Sequence, residues 1–491
     1  MRPLDSIPVS QTQAQSLGAG VKLQPHPSLV ANARLTTTPQ VSRDLGNKIV
    51  PPILREDPKV TRPFQFTSSR GTDPGLSVLE LSDVADHKVV TPDTPLKLLV
   101  DVPLADNEYL LPVGYDGEFF LPLGRGTTTQ DGKTEIELER LPAPVSQGER
   151  SIQGSIRIFF EKIINQKLGR ECNYPLLRVA EVTDNKKVAY QSDAATLKQR
   201  VAQAKRIALY IHGIVGDTES LISSIKQPIL QPNGQKRSLS ELYDVVLTFD
   251  YENLNTPIEQ NAQFLKRRLR DVGLGENHGK ELHIIAHSMG GLVSRWFIER
   301  EGGNKVVQHL IMLGTPNAGS PWPVVEDWVK LTLGIALNGL SLIAWPASVL
   351  AGLMGALEKN IRVALAEMNP ASDFLNSLAA SDDPAIPYSI IAGNTSIITS
   401  ITPAALEQQS DKKSSVLERL QQKLFKKVVA LPFSGVPNDI AVTVDSIKSI
   451  PTGRSLPPNI QEVACDHLSY FISDPNQVGL EALVAVITQQ K

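Results

Sequence analysis

Ser288 stands in the run Ala286-His287-Ser288-Met289-Gly290-Gly291, directly after the apolar stretch Leu282 to Ile285 and before the helix-like segment Leu292 to Arg300. A serine squeezed into a strand-to-helix turn takes a strained backbone that lifts its hydroxyl clear of the sheet. Its neighbours two positions away must then be small to avoid collision. Ala286 and Gly290 meet that demand. The following helix would aim backbone N–H groups at negative charge developing beside the hydroxyl, so the chemistry on offer is nucleophilic attack on a carbonyl. A serine hydroxyl is weak alone and needs a histidine to take its proton and an acid to hold that histidine. Two of the eight histidines stand in loop-like strings: His212 in Tyr210-Ile211-His212-Gly213-Ile214-Val215-Gly216 and His467 in Cys465-Asp466-His467-Leu468-Ser469. Acid candidates are Asp439 in Pro437-Asn438-Asp439-Ile440-Ala441-Val442, its rival Asp445, Asp250 at the end of an apolar run, and Asp466 beside His467, where adjacent side chains diverge.

The elements that must position these residues have a consistent texture. Short apolar runs, Ile207 to Ile211, Val245 to Phe249, Leu282 to Ile285, Leu310 to Leu313 and Ile386 to Ala392, alternate with longer segments of helical spacing such as Ile258, Ala262, Leu265 and Leu269. Buried strands alternating with helices imply a mostly parallel sheet covered on both faces, an α/β class.

Ala286 to Gly291, the His212-Gly213 string and Leu313-Gly314-Thr315-Pro316-Asn317-Ala318-Gly319-Ser320 together resemble the α/β-hydrolase superfamily, in its lipase and esterase branch, over residues 205 to 320 and 435 to 471. Alanine rather than glycine at 286 is a mild departure from the usual elbow. By position, the resemblance implies Ser288, Asp439 and His467 as catalytic triad and the amides of Ile214 and Met289 as oxyanion donors. It makes His212 a loop-shaping residue, because the base follows the nucleophile in chain order, and it calls for no cofactor and no metal. The activity implied is serine carboxyl-ester hydrolysis through an acyl-enzyme, by a lipase or phospholipase. The alternatives are a short-chain esterase or amidase, or an interaction protein with a degenerate hydrolase domain.

The remaining chain is read from its patterning. Residues 1–63 hold nine prolines and no aromatic residue, which predicts a disordered arm whose removal up to Phe64 leaves the body intact. Residues 64–182 turn to period two, with Leu96, Leu98 and Val100 around Lys97 and with Ile136 and Leu138 between glutamates. Asp116-Gly117 and Asp131-Gly132 supply hairpin turns, so an antiparallel β-rich accessory domain is expected. A linker at 183–204 and an α/β-hydrolase domain at 205–491 follow. Leu331 to Leu357 is 27 residues without a charge, long enough to cross roughly 30 Å of hydrocarbon. A crossing would part Ser288 from His467, so the stretch is expected as an apolar lid within an insertion at about 321–385, broken near Pro346 with Leu340, Leu342, Trp345 and Leu350 forming one patch. Val416, Leu417, Leu420, Leu424 and Val428 form an apolar stripe among Lys412, Lys413, Arg419, Lys423, Lys426 and Lys427. Such a helix suits a solvated surface or peripheral contact with an anionic membrane.

Composition sets the outer bounds. A net charge of -3 from 49 basic and 52 acidic side chains gives no general field for nucleic acid, so none is expected as partner. Two cysteines almost 300 positions apart suggest neither zinc nor a disulfide framework. Met1 to Ser10 lacks the apolar run of a secretory leader, so a cytoplasmic location is expected, with a lipid or small-molecule ester as substrate.

Overall fold

The computed structural model describes residues 7–9, 12–38, 50–66, 76–144, 155–164, 175–183, 188–214, 218–230, 234–252, 256–320, 322–339, 348–357, 363–400, 419–420, 423–424, 436–472 and 478–489. The chain forms two units. The first comprises residues 1–171, 329–355 and 414–428. Its strands are β1 (Ile7–Pro8), β2 (Gln15–Gly18), β3 (Val21–Leu23), β4 (Asn32–Thr38), β5 (Thr61–Pro63), β6 (Leu76–Ser82), β7 (Leu96–Val100), β8 (Glu108–Tyr115), β9 (Phe120–Pro122), β10 (Gly124–Thr128), β11 (Thr134–Leu138) and β12 (Ile156–Ile164). They pair antiparallel in the order β1-β4-β6-β12-β8-β10-β11-β7-β3-β2, with β5 added to β12 and β9 to β8. The period-two runs meet in register, Leu98 opposite Ile136, so their apolar side chains share a buried face. Asp116-Gly117 joins β8 to β9 and Asp131-Gly132 joins β10 to β11, with φ of 98° at Gly117 and 75° at Gly132.

The described part of residues 1–63, namely 7–9, 12–38 and 50–63, corrects the expectation of a disordered arm. β4 runs the full length of β6, from Asn32 opposite Ser82 to Thr38 opposite Leu76, and β3 pairs with β7. Leu17, Val21, Leu23, Leu29 and Ala33 are buried. Aliphatic side chains at alternate positions suffice once an existing sheet supplies the other half of the contact. The prolines occupy sites that tolerate them: Pro8 ends β1 at the edge of the sheet, and Pro25 and Pro27 lie between β3 and β4.

The expected lid falls partly on described residues. Residues 329–355 belong to the first unit, within which Leu331, Leu333, Leu337, Leu350 and Leu353 are buried. Asn338, in the helix Trp322–Asn338, closes on β9 like a strand partner. Its Nδ2 donates to the Phe120 carbonyl and its Oδ1 accepts the Phe120 N–H, each at 2.8 Å. Leu340, Leu342, Trp345 and Pro346 lie outside the described residues. So does most of the basic segment, but its Leu420 and Leu424 are buried, Arg419 pairs with Glu118 at 2.7 Å and Lys423 with Asp116 at 2.9 Å. Among the described residues no helix is long and apolar enough to cross a membrane.

The second unit comprises residues 172–328, 356–413 and 429–491. Its strands are β13 (Leu176–Val182), β14 (Val188–Gln191), β15 (Arg206–Ile211), β16 (Ile229–Leu230), β17 (Lys236–Arg237), β18 (Val245–Asp250), β19 (Glu281–His287), β20 (His309–Leu313), β21 (Tyr388–Gly393) and β22 (Asn459–Val463). Apart from the small β16-β17 pair, they form one sheet in the order β14-β13-β18-β15-β19-β20-β21-β22, antiparallel across the first two contacts and parallel thereafter. β13 and β14, which precede residue 205, are thus part of this sheet. The expected linker carries β14 and the helix Ala194–Gln203, capped by Asp193 and anchored by buried Leu197 and Val201. Strand order reverses at β15, which lies between β18 and β19, so the chain leaves their carboxyl ends in diverging directions.

One buried acid in the first unit generates a stability prediction. Glu161 on β12, 1% exposed, has no hydrogen-bond partner for Oε2 among the described residues, and burial pushes its carboxyl up to about 8 from 4.5. Between those values the folded chain holds a proton that the unfolded chain has lost, so stability falls as pH rises, by at most about 1.4 kcal/mol per pH unit. Glu161→Gln removes this dependence: denaturant titrations should show a flatter stability profile from pH 5 to 8 and a more stable protein at pH 8. A chain lacking residues 1–63 should lose several degrees or more in melting temperature, because β6 and β7 each lose one of their two strand partners.

Candidate active site

The carboxyl ends of the central strands bring the chemical groups together within the second unit. Ser288 follows β19 and precedes the helix Met289–Arg300, with φ of 53° and ψ of -130°. This backbone is strained for a residue with a Cβ. It is held by the Ser288 N–H donating to the Leu313 carbonyl at 2.9 Å. His467 lies in the loop after β22, and its Nε2 stands 3.0 Å from Ser288 Oγ. The opposite ring nitrogen, Nδ1, is 2.7 Å from Asp439 Oδ2. Ser288, His467 and Asp439 are 5%, 3% and 0% exposed. The line Ser288–His467–Asp439 is thus continuous and screened from bulk water.

Each member is fixed by its own loop. Asp439 Oδ1 accepts the N–H groups of Ala441 and Val442 at 3.1 and 2.8 Å, and Oδ2 accepts the Tyr470 hydroxyl at 2.9 Å besides His467. Four donors thus replace the water that this fully buried carboxylate lacks. The turn that delivers two of them places Ile440 at φ 85°, a costly conformation for a β-branched residue, and Asn438 stabilises it by accepting the Ile440 N–H on its side chain at 2.8 Å. The His467 N–H donates to the Asp439 carbonyl at 2.7 Å, and the His467 carbonyl lies 2.7 Å from His287 Nε2. Burial pushes the His287 imidazole well below its ordinary value, aided by neighbouring His467 and His212. A neutral ring with its proton on Nε2 is then the donor.

Glycines admit these approaches. A Cβ on Gly290 would stand 2.5 Å from the His212 carbonyl oxygen and 2.6 Å from that of Ile211, and one on Gly213 would stand 2.6 Å from the Ser288 Cβ. The elbow and the loop after β15 therefore touch backbone to backbone. Gly393 and Gly314, at the ends of β21 and just after β20, lie against Asp439 and Tyr470, where a Cβ would come within 2.7 Å of Tyr470 atoms.

The other expected residues sort as follows. Met289 is the first residue of the helix after Ser288, and Ile214 follows Gly213; both are buried. His212 does not join the line: it stacks on Tyr251 with ring centroids 4.5 Å apart, and its Nδ1 lies 2.7 Å from the Gly213 carbonyl, shaping the loop. Asp445 is exposed in the first turn of the helix Val444–Lys448. Asp466 caps its own turn through Leu468 N and Ser469 Oγ. Asp250 accepts Thr218 Oγ1 and pairs with Arg178 at 2.5 Å. Among the described residues no group of three histidine, cysteine or acidic side chains is arranged to hold a metal. Tyr470 and His287 escaped the sequence reading in these supporting roles, since an aromatic three residues past a histidine and a histidine beside a serine carry no distinguishing pattern.

A family model described as a domain of unknown function (DUF7379) matches residues 177–482. No curated protein matches the chain. Similar solved structures include the Bacillus licheniformis lipase BlEst2 in mature form, at 16% identity and a TM-score of 0.34 over 59% of this chain and 92% of that one. Phospholipase PlaB from Legionella pneumophila is 16% identical with a TM-score of 0.30, over 49% of this chain and 45% of that one. MGS-M2, an alpha/beta hydrolase enzyme from a Medee basin deep-sea metagenome library, is 10% identical with a TM-score of 0.30, over 58% and 88%.

The backbone contact at Gly290 is testable. Gly290→Ala drives a methyl group into two carbonyl oxygens that cannot rotate away, and urea unfolding should show a loss of about 1–3 kcal/mol or more. Gly275→Ala, where the one neighbour within 4 Å is Arg270 Cγ at 3.9 Å, should stay within about 0.5 kcal/mol.

Proposed function

The chain belongs to the family described as a domain of unknown function (DUF7379), and for this member we propose a serine carboxyl-ester hydrolase acting through an acyl-enzyme. The observation that carries the reading is the buried line from Ser288 Oγ through His467 to Asp439, with the serine held at positive φ against a helix N-terminus. In the proposed reaction Ser288 Oγ attacks the acyl carbonyl while His467 Nε2 takes its proton. Asp439 holds the ring in the tautomer that presents Nε2 as acceptor and stabilises the imidazolium that forms. The amides of Met289 and Ile214 are assigned to the oxyanion of the tetrahedral intermediate. Its collapse breaks the bond to the alcohol, which leaves with the proton from His467. Water, deprotonated by the same nitrogen, then attacks the acyl-serine and frees the acid.

The proposed substrates are lipid or small-molecule acyl esters. Of the leucines expected to line an apolar lid, Leu350 is described and is buried, and Leu340 and Leu342 lie outside the described residues, so acyl length is left open. A short-chain esterase therefore stands level with a lipase or phospholipase. An interaction protein with a degenerate site is disfavoured, since selection for docking alone would not maintain four donors on a buried carboxylate.

The test is direct. Wild-type protein should hydrolyse p-nitrophenyl esters and take up one fluorophosphonate label, whereas Ser288→Ala should do neither while keeping its melting temperature. Asp439→Asn should lower kcat by about 10³- to 10⁴-fold, since the amide favours the wrong tautomer. Undiminished labelling in Ser288→Ala overturns the assignment.

A further inference from the structure

Asp439 Oδ2 serves two donors. His467 Nδ1 reaches it at 2.7 Å and the Tyr470 hydroxyl at 2.9 Å. Tyr470 Oη in turn accepts the Gly393 N–H at 2.7 Å, which occupies its lone pair and leaves its proton directed at the carboxylate. The phenol is completely buried. Burial raises its pKa well above the ordinary value, with the nearby Asp439 charge adding to the effect, so the hydroxyl stays protonated. Space is reserved for this arrangement: glycine at 393 and 314 lets the ring and hydroxyl approach, at positions where a Cβ would meet Tyr470 atoms at 2.7 Å.

We propose that Tyr470 is a positioning residue that sets the basicity of His467, by sharing Asp439 Oδ2 with the imidazole through a hydroxyl anchored on Gly393. The inference rests on the reading of Ser288, His467 and Asp439 as a triad. A carboxylate oxygen that accepts two hydrogen bonds gives each less electron density than it would give one alone. The phenol therefore weakens the pull of Asp439 on the imidazole proton, lowers the proton affinity of the ring, and keeps His467 available as base at lower pH. A fixed hydroxyl beside Nδ1 also prevents Oδ2 from rotating away from the ring.

Among the described residues, the titratable groups near His467 include two aromatic rings. His287 from β19 has its ring 4.8 Å away, and Tyr470 has its ring 6.3 Å away. His212 adds a charge contribution at His287, and Asp439, Asp466 and Glu481 add theirs at the buried Cys465 thiol. Burial holds His287 neutral by lowering its pKa and holds Cys465 neutral by raising its own. Neither supplies a titration that could be mistaken for that of His467.

The experiment follows the imidazole of His467 by NMR in ¹⁵N-histidine-labelled full-length protein, beside pH profiles of kcat/KM. Removing the hydroxyl by Tyr470→Phe should raise the His467 pKa by about 0.5 to 1 unit, roughly a three- to tenfold gain in proton affinity, and move the acidic limb of kcat/KM upward by the same amount. Replacing Tyr470 with 3-fluorotyrosine keeps the ring and strengthens the donor, so the midpoint should move downward; this variant decides the matter if the phenylalanine variant does not fold. An unmoved midpoint, even with lost stability or lower kcat, makes Tyr470 a packing residue and overturns the proposal, as does a shift of opposite sign. Fluorophosphonate labelling of wild type reports separately on the hydrolase reading, because the titration needs no turnover.

Discussion

A carboxylate with no exposure to water is the constraint around which the second unit is arranged. Moving an ionised acid out of water costs several kcal/mol unless donors replace the lost hydration, and Asp439 has four of them. Two come from a turn so tight that Ile440 is pushed to positive φ, one from His467 and one from Tyr470. The strain at Ile440, the missing side chains at Gly314 and Gly393, and the bond from His467 N–H to the Asp439 carbonyl all follow from seating one charge at that depth. The same seat fixes which imidazole nitrogen faces Ser288.

A second constraint is the approach of the elbow to the loop after β15. Parallel pairing of β15 with β19, Ile211 opposite Ala286, brings the two carboxyl ends side by side, and Gly290 then rests on the carbonyls of Ile211 and His212. Strand β20 completes the frame, its Leu313 carbonyl taking the Ser288 N–H. A strained serine persists there because rigid strands hold it on both sides. This division of labour, with a stiff sheet below and short loops above, accounts for the placing of Ser288, His467 and Asp439 at the ends of elements rather than within them.

Legibility in the sequence followed locality. The elbow could be read because its requirement, small residues two positions either side of a serine between a strand and a helix, is satisfied within five residues. Asp439 and Asp445 were harder to separate, since what distinguishes them is which one faces His467, a contact across 28 positions. Tyr470 and His287 could not be read at all, because their partners Gly393 and the His467 carbonyl are distant in the chain. The first unit shows the same rule. Its hairpins were legible from Asp-Gly turns and period-two runs, whereas β3 and β4 were hidden by proline content, because their burial depends on β7 and β6 far downstream. For the uncharged stretch, composition shows that Leu331 to Leu357 calls for burial but does not show against what, and within it Asn338 meets Phe120 by a contact 218 positions long.

The central claim is that Ser288 becomes covalently acylated, and trapping that intermediate tests it most directly. Rapid acid quench of the protein during the first turnovers of a p-nitrophenyl ester, followed by digestion and mass spectrometry, should find the acyl group on the peptide containing Ser288, at a level matching the burst of p-nitrophenol. Ester turnover with no acylated serine, or with the acyl group on another residue, would contradict the account.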